Sequence, residues 1–125
     1  AEELALPYAY VRPKPKDHGM KNQIEGQLPE GAKVVVVEDL ISTGGSSLKA
    51  VAALREAGFE VVGMVASYTY GFPVAEAAFK EANVQLVTLT NYQSVVEKAL
   101  ETGYIKKEDV PMLDEWRRDP ANWRK

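Results

Sequence analysis

The chain has 125 residues, of which 46% are hydrophobic and 26% charged, a balance typical of one soluble globular domain. Its net charge of −3 argues against general affinity for nucleic acid, and the lack of cysteine excludes disulfides and thiolate metal sites. No apolar run approaches the ~20 residues of a membrane helix, and the opening AEELALPYAY has no signal-peptide pattern, which points to the cytoplasm.

In chain order, residues 8–12 read as a short strand that enters a long loop. That loop, YVRPKPKDHGMKNQIEG over 10–26, holds five potential cations: Arg12, Lys14, Lys16, His18 and Lys21. Pro13, Pro15, Gly19 and Gly26 forbid a helix there. Loops of that length in compact domains are functional lids or solvated segments, and charge alone does not choose between them. His18 is the only histidine in the chain.

Residues 33–38 include four consecutive valines, the kind of run that fills a central parallel strand buried on both faces. Glu38 and Asp39 stand where that strand should end, followed by Ser42-Thr43-Gly44-Gly45-Ser46-Ser47. A helix is expected over 46–57, closed by Gly58, then a strand over 61–67 with Tyr68 to Tyr70 beyond it. Pro73 opens a helix that runs from 74 to 82. Residues 84–89 form another apolar strand, and Thr90 or Asn91 caps a helix that reaches about 101 and ends at Gly103. Residues 106–118 form a last helix or helical turn, with Asp114, Glu115, Arg117 and Arg118 on its wet side. Strands separated by single helices imply an α/β fold, a mostly parallel sheet with helices on both faces. Ligands of such sheets sit beyond the carboxyl ends of the strands. No repeat or linker divides the chain, so residues 1–125 read as one domain.

The junction VVVVEDLISTGGSS carries the chemistry. Amide groups and the dipole at a helix N-terminus suit a phosphate, and the acids suit ribose hydroxyls or a metal ion. The plain alternative is a tight strand–helix turn with a Ser/Thr cap. Adjacent carboxylates repel each other, which favours the ligand reading. A Walker loop needs Gly-Lys-Ser/Thr, whereas Ser46 and Ser47 follow Gly45. The dinucleotide fingerprint wants three spaced glycines, and only Gly44 and Gly45 are present.

Four apolar residues, two acids, two apolar residues and a Ser/Thr-Gly loop resemble the phosphoribosyl pyrophosphate (PRPP) motif of type I phosphoribosyltransferases. The R-x-x-x-K-D-H-G pattern of Arg12, Lys16, Asp17, His18 and Gly19 resembles the catalytic loop of the orotate phosphoribosyltransferases within that family. The resemblance implies that Glu38 and Asp39 take the ribose, while Ser42, Thr43, Gly44, Gly45 and Ser46 take the 5′-phosphate. It implies that Arg12, Lys16 and His18, with Lys14 as a helper, bind the departing pyrophosphate. Lys16, His18 and Asp39 are then the catalytic residues. Family members often carry a second basic residue after the arginine, where this chain has Pro13.

The implied reaction is magnesium-dependent transfer of ribose 5-phosphate from PRPP to orotate, giving orotidine 5′-monophosphate and pyrophosphate in pyrimidine biosynthesis. Mg²⁺ would travel with the substrate, with no metal site built by the protein. A homodimer is also implied, and neither nucleic acid nor membrane is an expected partner. Against the family pattern, the N-terminal hood and the first core strand are absent from these 125 residues. The arginine that many members place after the strand at 61–67 is replaced by Tyr68, Thr69 and Tyr70, which read either as base contacts or as packed aromatics. Trp116 and Trp123 suit packing. Two other readings remain: a phosphoribosyltransferase for another base, and a module that binds PRPP or phosphate without turnover.

Overall fold

The computed structural model describes residues 1–14 and 23–124. Strands β1 (Ala9–Val11) and β2 (Ile24–Gly26) pair antiparallel. The main sheet is parallel, in the order β3 (Lys33–Ile41), β4 (Glu60–Thr69), β5 (Leu86–Asn91). Between these strands run α1 (Gly45–Glu56) and α2 (Pro73–Glu81). After β5 come α3 (Tyr92–Thr102), a 3-10 turn at Lys107–Asp109, α4 (Val110–Arg118) and a second 3-10 turn at Pro120–Asn122. This is the α/β class expected, with helices flanking a parallel sheet.

The strand order explains how the helices pack. Successive strands step the same way across the sheet, so right-handed crossovers bring α1 and α2 to the same face. Val51 and Leu54 of α1, Ala75 and Phe79 of α2, and Ile41, Val61, Met64 and Ala66 of the sheet make one core cluster, closed by Val84. Ile41, Met64 and Val51 are fully buried, each a stabilisation of about 1.5–3 kcal/mol over the exposed state. Val11 and Ile24 lean on the same cluster, which docks the β1–β2 pair beside α1.

The valine run departs from expectation. β3 is an edge strand of the described sheet, and its side chains alternate. Val34 and Val36 pack on the core, while Val35 and Val37 are 52% and 79% exposed. A two-residue period sends alternate valines to the face opposite α1 and α2, where Val62, Val65, Val87 and Leu89 are also exposed. Strand β3 also runs on to Ile41, so the acids lie within its last turns of pleat instead of after it.

The helix ends follow local chemistry. Asn91 Oδ1 accepts the Ser94 amide at 2.9 Å, so Asn91 is the cap of α3, and Gly103 closes that helix at φ 80°. Pro73 opens α2, where it forfeits no intrahelical bond. Arg117, expected on the wet side of α4, instead turns inward. Its Nε donates to the Tyr70 carbonyl at 3.3 Å and its Nη2 to that of Gly71 at 3.2 Å. Those carbonyls follow β4, where the chain has no strand partner to use them, and a planar guanidinium can serve two at once. Asp114, Glu115 and Arg118 are exposed as expected.

Candidate phosphate and ribose site

The site is built where β3 hands over to α1. Gly44 is the N-cap of α1 at φ 85°, and no side chain caps that end. The first intrahelical bond is Leu48 N–H to Gly44 O at 2.9 Å. The amides of Gly45, Ser46 and Ser47 precede it and so have no partner within the helix. They are a ready site for an anion. Ser42, Thr43, Gly45 and Ser46 are exposed, while Gly44 is buried against the ring of Phe79. A Cβ on Gly44 would fall 2.8 Å from Phe79 Cε2, and one on Gly45 would meet nothing closer than 3.8 Å. The first glycine is therefore required by both conformation and space.

The acidic pair is separated by the pleat. Glu38 is half-buried, and Asp39 is exposed. Glu38 Oε2 accepts from Ser47 Oγ at 2.8 Å, and its Oε1 accepts from the Asp39 amide at 3.1 Å. Asp39 Oδ1 accepts from the Leu40 amide at 2.7 Å. Glu38 thus reaches the first turn of α1, beside the open amides. Ser47 is missing from the expected residue set. It carried a legible signal, because 47, 51 and 54 trace the buried stripe of α1 and Ser47 is its one polar member.

Arg12 follows β1 and is part-buried, with Nη2 2.6 Å from Glu25 Oε1 across the β1–β2 pair. Its Nε is buried without a partner among the described residues. Lys14 is exposed. Lys16 and His18 lie outside the described residues, as do Asp17, Gly19 and Lys21. Glu38, Asp39 and residues 42–46 are therefore the assigned positions that the fold gathers at one junction.

Beyond β4 the aromatic residues pack on one another. Tyr70 stacks on Phe72 at 5.2 Å between centroids and meets Tyr68 edge-on at 5.0 Å. Trp116 lies 5.7 Å from Tyr70 and 5.8 Å from Tyr92, and the Arg117 guanidinium sits over the Tyr92 ring at 5.6 Å. Burial raises the hydroxyl pKa of Tyr68 above 10.0, reinforced by charge on Tyr70 and Tyr92 and opposed by Arg117. Burial likewise raises that of Tyr92, with Asp114 adding to it. A raised folded-state pKa contributes stability that is present below the unfolded value and lost as pH climbs through the folded one. Unfolding free energy should therefore decline as pH rises past the ordinary tyrosine value of about 10. The double variant Tyr68→Phe, Tyr92→Phe should flatten that decline in urea titrations; an unchanged slope would show that these hydroxyls do not govern it.

Among the described residues no helix is long and apolar enough to cross a membrane, and no cluster of three or more metal-ligating side chains occurs. The profile of the phosphoribosyl transferase domain matches residues 1–101. The chain is 70% identical over 123 residues to the orotate phosphoribosyltransferase of Phocaeicola vulgatus, covering 98% of this chain and 58% of that protein. It therefore spans rather more than half the length of the curated relatives it matches. Its fold resembles the crystal structure of orotate phosphoribosyltransferase from Aeropyrum pernix, with a TM-score of 0.69 and 32% identity over 84% of this chain and 56% of the other. It also resembles the Mycobacterium tuberculosis orotate phosphoribosyltransferase in complex with PRPP, with a TM-score of 0.58 and 32% identity over 70% and 49% of the two chains.

Proposed function

Since the chain belongs to the phosphoribosyl transferase domain family, we propose that it carries the PRPP-binding half of an orotate phosphoribosyltransferase. The reaction moves ribose 5-phosphate from PRPP to a ring nitrogen of orotate and releases pyrophosphate. The observation that carries this reading is the junction itself: open amides at Gly45 to Ser47 with Glu38 drawn against them by Ser47. The similarity to an enzyme described in complex with PRPP supports it.

In this reading the amides of α1, with Ser42, Thr43 and Ser46, hold the 5′-phosphate. Glu38 and Asp39 accept hydrogen bonds from the ribose hydroxyls. As the bond to pyrophosphate breaks, positive charge grows on the ribose and negative charge on the leaving group. The two carboxylates, holding the ribose in this reading, would stand beside the first. Arg12, Lys14, Lys16 and His18 would neutralise the second, and Glu25 pairs with Arg12. Glu38 and Asp39 are hard oxygen donors of the kind Mg²⁺ takes, and such an ion needs only one or two carboxylates beside substrate phosphates and water. When bound, Mg²⁺ supplies charge neutralisation to the diphosphate. A cytoplasmic homodimer completes the proposal.

Titrating PRPP with Mg²⁺, and then orotate, into the chain by calorimetry tests the reading. PRPP should bind, with orotate following once PRPP is in place. Binding of PRPP without orotate would assign these residues the cradle alone and place the base pocket elsewhere in the longer relatives. A chain that takes up neither would remove the proposal.

A further inference from the structure

Ser47 is the one polar side chain fully buried among the described residues, at 2% exposure. It occupies the inner stripe of α1 with Val51 and Leu54, where alanine would fill the space as well and form helix more readily. The packing therefore does not ask for a hydroxyl. What the hydroxyl does is donate to Glu38 Oε2 at 2.8 Å, a charge-assisted bond. The Asp39 amide holds the other oxygen at 3.1 Å.

We propose that Ser47 is a positioning residue that locks the Glu38 carboxylate as a two-point acceptor for the vicinal hydroxyls of a ribose 5-phosphate; this rests on the phosphoribosyl reading above. A carboxylate offers about four lone-pair sites. Ser47 and the Asp39 amide use two of them, which leaves one on each oxygen. Two adjacent hydroxyls need that spacing. A free glutamate spends rotamer freedom on being ordered, whereas one already tied at both oxygens has little left to lose on binding.

Two ligands separate this from a merely structural role. Inorganic phosphate uses the amides of the cradle with Ser42, Thr43 and Ser46, all of which the change Ser47→Ala leaves in place. Ribose 5-phosphate uses the amides and Glu38 together. In calorimetric titrations, Ser47→Ala should weaken ribose 5-phosphate roughly tenfold and inorganic phosphate far less, since its amide stays in place. Glu38→Ala should reduce the same preference for the sugar at least as far, leaving what Asp39 contributes, and adding Ser47→Ala to it should cost nothing more, because the two act as one unit. Ser47→Cys, close in size and a weak donor, should fall between wild type and Ser47→Ala, and serves if the alanine variant does not fold. An unaltered preference in Ser47→Ala, equal weakening of both ligands, or additive losses in the double variant would each overturn the assignment. Failure of the wild-type chain to bind either ligand would overturn the phosphoribosyl reading beneath it, before any variant is compared.

Discussion

Replacing Phe79 with alanine should cost about 3–5 kcal/mol of folding stability, the largest loss expected from a single change in this chain. Phe79 is 4% exposed and belongs to the cluster that joins α2 to α1 and the sheet. Truncation removes the transfer free energy of the ring and leaves a hole that the rigid β3–β4 backbone cannot fill. Against a total of roughly 5–15 kcal/mol for a domain, that is a large share. The ring is also the floor beneath Gly44. Its loss should therefore weaken phosphate binding as well, although no atom of Phe79 belongs to the cradle. Urea unfolding gives the first quantity, and phosphate titration of the folded variant gives the second. A loss under about 1 kcal/mol would mean that α2 closes over the gap.

Gly44→Ala should be nearly as damaging, for the opposite reason. At φ 85° an L side chain is strained, by about 1–2 kcal/mol. The new methyl also lands 2.8 Å from Phe79 Cε2, and overpacking of that kind costs about 1–3 kcal/mol. The two terms can be told apart. Combining Gly44→Ala with Phe79→Leu should recover part of the steric term and none of the backbone term, so the pair should couple favourably in a double-mutant cycle. Strictly additive losses would show that the ring and the glycine do not press on each other. Because the backbone turn sets the direction of the Gly45, Ser46 and Ser47 amides, Gly44→Ala should also weaken phosphate binding more than its stability loss alone would suggest.

These two positions belong to different levels of information. Gly44 is legible in the chain, since a glycine between a strand and a helix, in a run of hydroxyls, marks a tight turn at a helix start. Its dependence on Phe79, 35 residues later, is not. The helices are legible in the same local way: Asn91 before α3, Gly103 after it and Pro73 at the start of α2 act through their own backbone and nearest neighbours. Element ends are less so. The acids were expected after a strand that in fact continues to Ile41, because pairing of Leu40 and Ile41 with Tyr68 and Thr69 extends the ladder beyond the apolar run.

Local chemistry thus dictated the alternation of strands and helices, the acidic pair and the glycine turn, because each depends on periodicity, on permitted φ or on residues within a few positions. Three matters waited for the assembled chain. The valines split between packed and bare faces, since only the side on which α1 and α2 land decides which alternate is covered. Arg117 turned inward to carbonyls 46 and 47 residues away that no pattern in α4 announces. And Ser47, legible as the polar member of α1's inner stripe, gained its partner only when the end of β3 brought Glu38 within 2.8 Å of its hydroxyl. A hydrogen bond between distant segments depends on where both backbones go, and that is settled by the packing of the whole core.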